Sequence, residues 1–331
     1  MRRILFLAVL ILTSLAVRGL VHAAGGPPPW AYGFTSLAGA GTPPPAPPAP
    51  AAREDPAPKR LPGSEAAFTP AQIRDAFNVA DWYPGDHPPM PDIVSRGRRP
   101  DVRGCGFCHY PNGKGRPENA SVAGQPYAYI VQQLADFKND ARKSADARKA
   151  NTGVMATIAK NMTDDEVKAA AAYFSSMKWT PWVKVVETAT VPKTRIAGGM
   201  FIALAGGGTE PIGQRIIEVP EIGERTEIRD ARTSFVAYAP IGSIKKGEAL
   251  VNTGGAGRTT RCAVCHGTDL MGLGPVPGIA GRSPSYMVRQ LYDMQQGTRK
   301  GAWTDLMTEV VARMTEEDML AIAAYTASRV P

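Results

Sequence analysis

The chain has 331 residues, 44% of them hydrophobic, a formal net charge of +8, 30 prolines, and only 4 cysteines and 4 histidines. At about 100 to 200 residues per domain this length holds two or three domains, each able to bury a core, which excludes a single small module. So few cysteines exclude a disulfide-dense secreted scaffold, and the basic excess is spread along the chain instead of forming the stripe that nucleic-acid binding needs.

Arg2 and Arg3 precede an apolar run from Ile4 to Val17, and Val21-His22-Ala23 supplies small residues for cleavage. This is the layout of a signal peptide over residues 1–24. The run is shorter than the roughly 20 residues a spanning helix needs, although an uncleaved anchor is the competing reading. Both readings export the bulk of the protein, and loss of Arg2, Arg3 and Arg18 would lower the charge to +5. Residues 25–67 are rich in proline, including Pro27 to Pro29 and Pro43 to Pro45. They predict an extended or disordered arm with no chemistry of its own. Thr69 as N-cap and Pro70 at the first helical position then open a helix expected to reach Ala80. Trp82 to His87, with Met90, reads as an ordered wrapping segment in which His87 is a hydrogen-bonded loop histidine before it is a ligand.

The chain contains two copies of one unit. Cys105-Gly106-Phe107-Cys108-His109 and Cys262-Ala263-Val264-Cys265-His266 hold every cysteine and lie 157 residues apart. The same offset carries Ala123-Gly124 onto Ala280-Gly281, Gln133-Leu134 onto Gln290-Leu291, and Arg142-Lys143 onto Arg299-Lys300. Beyond these the offset is 152, taking Met155 to Met307, Met162 to Met314, Thr163 to Thr315 and Tyr173 to Tyr325, so the first copy has 5 extra residues between Lys143 and Met155.

Both copies read as helical. Pro126 opens a helix with Tyr127, Ile130, Leu134 and Phe137 on its apolar face; Ser283 and Pro284 open its equivalent, with Gly297 just past the end. Thr163 to Glu166 has the capping-box pattern at the start of the last helix, and Thr315 to Asp318 keeps the cap with a shorter carboxylate. These acidic clusters complement the helix dipole before they suggest catalytic carboxylates.

Cys-x-x-Cys-His has four physical readings. Zinc needs a second ligand pair nearby, a thioredoxin-like pair needs a βαβ context, and two plain disulfides leave the histidines unexplained. Covalent attachment of c-type haem accounts for every position, with two thiols adding to the haem vinyls and the next residue placing an imidazole under the iron. The opposite ligand is a methionine, a histidine or an open position, and methionine raises the potential. Met162 and Met314 occupy the hydrophobic-staple position facing Val167 and Met319, and read as structural. Met155 and Met307 precede them in a segment expected to be irregular, free to reach across a porphyrin, and are the candidate distal ligands. With His22 in the leader and His109 and His266 beneath iron, only His87 is spare.

The order helix, Cys-x-x-Cys-His, Ala-Gly, helix with Gln-Leu, loop Met and a Thr-led acidic final helix resembles class I cytochrome c. Two such units in tandem are similar to the dihaem cytochrome-c-four type, over residues 91 to 178 and 245 to 330. The resemblance implies a mainly α fold of two tandem class I cytochrome c domains and two covalently bound haem c groups. Cys105, Cys108, His109 and Met155 would hold one haem; Cys262, Cys265, His266 and Met307 would hold the other. That family places a proline three residues before Ala-Gly. Pro277 matches it and Ala120 does not, which predicts a less rigid carbonyl opposite His109.

The domain reading is residues 68–180 for the first cytochrome domain with its extension, 181–244 for a connecting segment and 245–331 for the second domain. Family members join their domains by a short linker, whereas this segment is long and rich in β-branched residues, which predicts short strands packed across both domains. Arg142 to Lys149, spanning the 5-residue insertion, reads as a solvated charged loop or as an edge that steers an acidic redox partner.

The functional reading is a periplasmic electron carrier with no catalytic residues, passing single electrons between a donor dehydrogenase or quinol oxidase and an acceptor oxidase or small cytochrome. A dihaem peroxidase is the alternative from another class, and a dedicated cytochrome subunit of a specific dehydrogenase is a variant of the first. No nucleic acid is implied, and membrane attachment would come only through the N-terminal segment or a membrane complex.

Overall fold

The computed structural model describes residues 26–33 and 55–331. The leader and most of the proline arm, including both readings of the leader, lie outside the described residues. Among the described residues no helix is long and apolar enough to cross a membrane.

The two copies fold as helical units of the same order. In the first, a turn at Asp92–Ser95 and the Cys105–His109 helix precede α1 (Tyr127–Lys138), α2 (Ala150–Asn161) and α3 (Asp164–Ser175). In the second, α4 (Ser243–Thr253) and the Ala263–His266 turn precede α5 (Pro284–Gln295), α6 (Thr304–Val311) and α7 (Glu316–Ser328). Local chemistry sets these limits. Ser283 accepts from the Tyr286 amide at 3.2 Å to start α5, and Gly297, at φ +68°, follows its C-cap. The capping box closes at both Thr163 and Thr315, where the shorter Asp318 still accepts from the Thr315 amide at 3.0 Å. In the second unit α4 crosses α7 so closely that a Cβ on Gly247 would collide with the Ala321 carbonyl, which accounts for glycine inside a helix. The first unit has a single turn where the second has α4, and its extension covers the space instead.

That extension departs from the sequence reading in one respect. The helix capped by Thr69 stops at Ile73 instead of Ala80, because the Asp75 carboxylate takes the Phe77 amide at 2.8 Å and turns the chain away. Trp82 and Tyr83 are buried with Leu61 and Ile73, and Trp82 donates to the Ile228 carbonyl at 2.9 Å, so this segment does wrap. Tyr127, assigned to the apolar face of α1, is exposed.

The arm is not featureless where it is described. Pro29–Ala31 forms a 3-10 turn, and Trp30, Ala31 and Tyr32 are buried in the core of the second unit. The expectation of a bare tether fails here because two large aromatics outweigh the ordering cost of a short, proline-stiffened segment.

The connecting segment forms the expected short strands. A three-stranded sheet has the order β2 (Ile217–Pro220), β3 (Phe235–Ala239), β1 (Val183–Glu187), with β3 antiparallel to β2 and parallel to β1. Along β3, Phe235, Ala237 and Ala239 are buried while Val236 and Tyr238 are half-buried, the two-residue period of a strand with two faces. One face is shared between the repeats: Phe235 packs with Tyr110, Trp179 and Trp182, whereas Ala237 and Ala239 join the second unit's core. Val236 and Tyr238 pack under a flap that carries Val191, Phe201 and Ile212.

The repeats meet through equivalent faces. Arg142 donates to Gln133 at 2.8 Å, to the Tyr286 hydroxyl at 2.6 Å and to Gln290 at 3.0 Å. Arg299, its repeat mate, donates to Gln290 at 3.0 Å, Tyr129 at 3.1 Å and Gln133 at 2.9 Å. The Lys143 amide donates to Thr298 at 2.9 Å and the Lys300 amide to Ala141 at 2.7 Å, so the two loops pair as a miniature ladder. Beside this seam, Arg282 reaches the Ser121 and Ala123 carbonyls and Trp179 donates to Ala280. The self-complementary pattern is that of an isologous dimer built inside one chain.

Truncating Arg142 or Arg299 to Ala strips donors from two glutamines and a tyrosine. Each variant should lose about 2 to 4 kcal/mol against denaturant, and the double variant should lose less than the sum. His87 supplies a pH test. Its side chain is 4% exposed; Nε2 faces Asp81 at 3.2 Å, and Nδ1 faces the Pro88 carbonyl at 2.9 Å and Tyr173 at 3.0 Å. Burial alone would lower its pKa, but the bonds to Asp81 and Pro88 outweigh it and raise it. Its contribution is full below the ordinary histidine value and fades as pH rises through the raised folded-state value. Equilibrium unfolding across pH 5 to 8 should show that loss, and H87Q should flatten it.

Candidate cofactor sites

A single helical turn places Cys105, Cys108 and His109 on one face, since positions three and four apart are neighbours. His109 is buried, and its Nδ1 lies 2.8 Å from the Ala120 carbonyl. A carbonyl only accepts, so Nδ1 carries the proton and Nε2 presents a lone pair. His266 repeats this on the Pro277 carbonyl, also at 2.8 Å. The exchange of proline for Ala120 therefore leaves the distance unchanged. The reason is that the backbone carbonyl makes the bond in either case. Burial lowers both imidazole pKa values, which keeps them neutral, as metal ligation requires.

The thiols are held protonated by burial, Cys105 pushed up to about 12 and Cys262 to about 11. That is opposite to the lowered pKa of a redox-active pair. Among the described residues no group of three or more His, Cys, Asp or Glu is gathered as a metal site.

Opposite His109 a cleft opens whose empty space, mouth included, is about 1390 Å³. Cys105, Cys108, His109, Met155, Met162 and Phe174 line one part of it. Met155 and Met307 lie within helices α2 and α6, not in irregular segments as the sequence suggested. Residues 144 to 149 make the first turn and let α2 begin at Ala150, so each methionine is presented from a rigid element. Met162 is buried with Val167 beside it, and Met314 with Met319, as the staple reading has it. In the second unit Cys262 and Met307 pack against the same core cluster.

The far wall of the first cleft is polar and comes from both repeats: Tyr129, Gln133, Arg142 and Lys149 face Tyr286, Arg289, Gln290 and Asp293. Burial alone would raise the Tyr129 pKa, but Arg299, Arg142 and Arg282 lower it, while burial lifts Asp293 to about 6. The charged loop is only partly solvated, with Lys143 and Arg148 exposed. Arg142 and Lys149 are buried, and Arg148 pairs with Asp146 at 2.7 Å. Duplication of Arg142 as Arg299 was the sequence signal for this wall; Lys149 and Arg289 gave none.

The two sites differ in cover. The connecting segment lies over the first Cys-His turn: Arg229 stacks 3.7 Å from the Phe107 ring centroid and donates to the Phe107 carbonyl at 2.5 Å. Trp182 donates to the Gly115 carbonyl at 3.1 Å, and Asn112 to Ala231 at 2.7 Å. In the second copy Val264, the mate of Phe107, is 63% exposed, and Cys265 is exposed.

The family model for cytochrome c matches residues 94–178, the first unit. The chain is 39% identical over 69 residues to cytochrome c-554(548) of Halomonas halodenitrificans, spanning 83% of that protein and 20% of this chain. The chain belongs to the cytochrome c family. Across both units this cytochrome is 25% identical over 235 residues to a thiosulfate dehydrogenase electron acceptor of Stutzerimonas stutzeri, 70% of this chain and 82% of that protein. It is 23% identical over 226 residues to cytochrome c4 of Pseudomonas aeruginosa, 67% of this chain and 81% of that protein. It is a mainly α, tandem class I cytochrome c, an electron-transfer protein and not an enzyme, and its cofactor is covalently bound haem c.

Replacing Arg229 with Ala removes the stacking and the carbonyl bond over the first turn. It should cost about 1 to 3 kcal/mol and speed amide exchange at residues 105–109, with residues 262–266 unchanged; equal protection in both turns would show that the cover is idle.

Proposed function

We propose that this cytochrome is a periplasmic carrier with one haem in each unit, passing single electrons between a donor dehydrogenase and an acceptor oxidase or small cytochrome. The folded units are residues 68–180 and 245–331, joined by 181–244. Cys105 and Cys108 form the thioethers of one haem, with His109 and Met155 as axial ligands; Cys262, Cys265, His266 and Met307 do the same for the other. The observation that carries this reading is the tethered imidazole of His109 and the α2 methionine lining one cleft. The second copy supports it with His266 on its own carbonyl and Met307 on the equivalent helix.

When bound, haem supplies the one-electron couple. The chain's part is orientation and exclusion of water. The carbonyls fix the imidazole tautomer and raise its basicity, and the thioether ligands set the potential upward. The relatives named as electron acceptors of thiosulfate dehydrogenase favour a dehydrogenase over a quinol oxidase as donor. The leader favours export, and a redox partner meets the second unit with less protein in its way.

Pyridine-haemochrome assay of the purified protein should give two haems per chain, with the ferric red-end absorption of thioether ligation. Met155→Ala and Met307→Ala should each lower one of two midpoint potentials and abolish about half of that absorption. A single haem per chain, or a high-spin spectrum that neither substitution alters, would overturn the assignment.

A further inference from the structure

One group in the first cleft is left without a use. Lys149 lies in the first repeat's extra segment and at the N-cap of α2, yet it is only 7% exposed and lines the cleft that holds His109 and Met155. Among the described residues its ammonium makes no hydrogen bond or ion pair. Burial and the neighbouring Arg289 pull its pKa down to about 7, with Glu118 opposing them. A buried, unpaired lysine is costly, and it usually neutralises or finds an anion.

The one carboxylate that acts on Lys149, Glu118, is shared with another cation, and its buried oxygens have no hydrogen-bond partner. Glu118 is already paired with Arg116 at 2.5 Å. Arg289, the other cation facing Lys149, gives its guanidinium to the backbone carbonyls of Ala31 and Pro117. Burial raises the pKa of both Glu218 and Asp293, the carboxyls nearest Arg289, and Glu218 is held by Ser283 and Ser285. Asp146 is occupied by Arg148. Lys149 and Arg289 therefore share the polar end of the cleft with one carboxylate, Glu118, that Arg116 also holds. A porphyrin attached at Cys105 and Cys108 brings two carboxylates of its own.

We propose that Lys149 is a positioning residue that binds a propionate of the first haem, a contact with no equivalent at the second. The positions aligned with Lys149 at the two repeat offsets are Gly301 and Leu306, and neither carries a charge. Arg289 backs the same carboxylate from the second unit, so the anchor bridges the two repeats. This rests on the proposed attachment of haem at Cys105 and Cys108. A cation held there favours the ferrous state, in which the iron carries one positive charge fewer, and so raises the first haem's potential above what its axial ligands alone set.

The test is potentiometric titration of the holoprotein and of K149Q and K149R. In K149Q one of the two midpoint potentials should fall by about 59 mV, a tenfold loss in the reduction equilibrium, while the other holds and K149R stays near wild type. Redox-difference infrared bands of haem labelled with carbon-13 at the propionate carboxyls should move in K149Q and not in the surface control K168Q. Two haems bound with both potentials and the carboxylate bands unmoved would overturn the role of Lys149. Wild-type protein with fewer than two haems would instead overturn the attachment reading. Haem content and unfolding midpoint, measured on each variant, separate a misfolded chain from a displaced propionate.

Discussion

The reciprocal arginine seam is the constraint on which the arrangement depends. Arg142 and Arg299 are both buried, and each needs donors satisfied by the other repeat's tyrosine and glutamine. A guanidinium has five donors in fixed directions and cannot shed its proton, so the two faces have little freedom of register. Because the seam also forms the far wall of the first cleft, the docking of the repeats and the polarity of that cleft are one problem. Neither unit alone could complete the wall.

Around this near-symmetric centre the additions are asymmetric. The first unit lacks a long N-terminal helix and is covered by its own extension and by the connecting segment; Arg229 and Trp182 lie over its Cys-His region. The second unit keeps α4 packed on α7 and receives instead the Trp30-Ala31-Tyr32 strap. The sheet between them shares its buried face with both cores, which makes residues 181–244 an integral wedge and not a loose linker. Equal motifs thus sit in unequal surroundings: the first Cys-His turn lies under the connecting segment, while Val264 and Cys265 of the second are exposed.

Much of the fold was legible because it is written in short-range chemistry. Helix starts at Thr163, Ser283 and Thr315 follow from caps that act within three residues, and the repeat offset exposed the duplicated unit. The Thr69 helix was read too long because the side chain of Asp75 competes with the helix for an amide, a choice that composition does not reveal. Met155 reads as a loop residue because apolar and polar residues mix along α2 with little periodicity, and Met307 because α6 is a helix of only 8 residues entered from Trp303 in the left-handed region. The charge run at Arg142 to Lys149 read as a solvated loop because local sequence carries no information about a partner surface 150 residues away.

By itself the sequence determined the two Cys-x-x-Cys-His turns and the capped helices that follow them in each copy. These depend on spacings of three to eight residues, which backbone geometry converts directly into shared faces. Only the tertiary structure decided where the charges go. Lys149, Arg289 and the seam arginines are ordinary surface residues by composition, and became buried cations because two repeats close over them. Burial is a property of the assembled fold, and the need of a buried charge for a counter-charge follows from it.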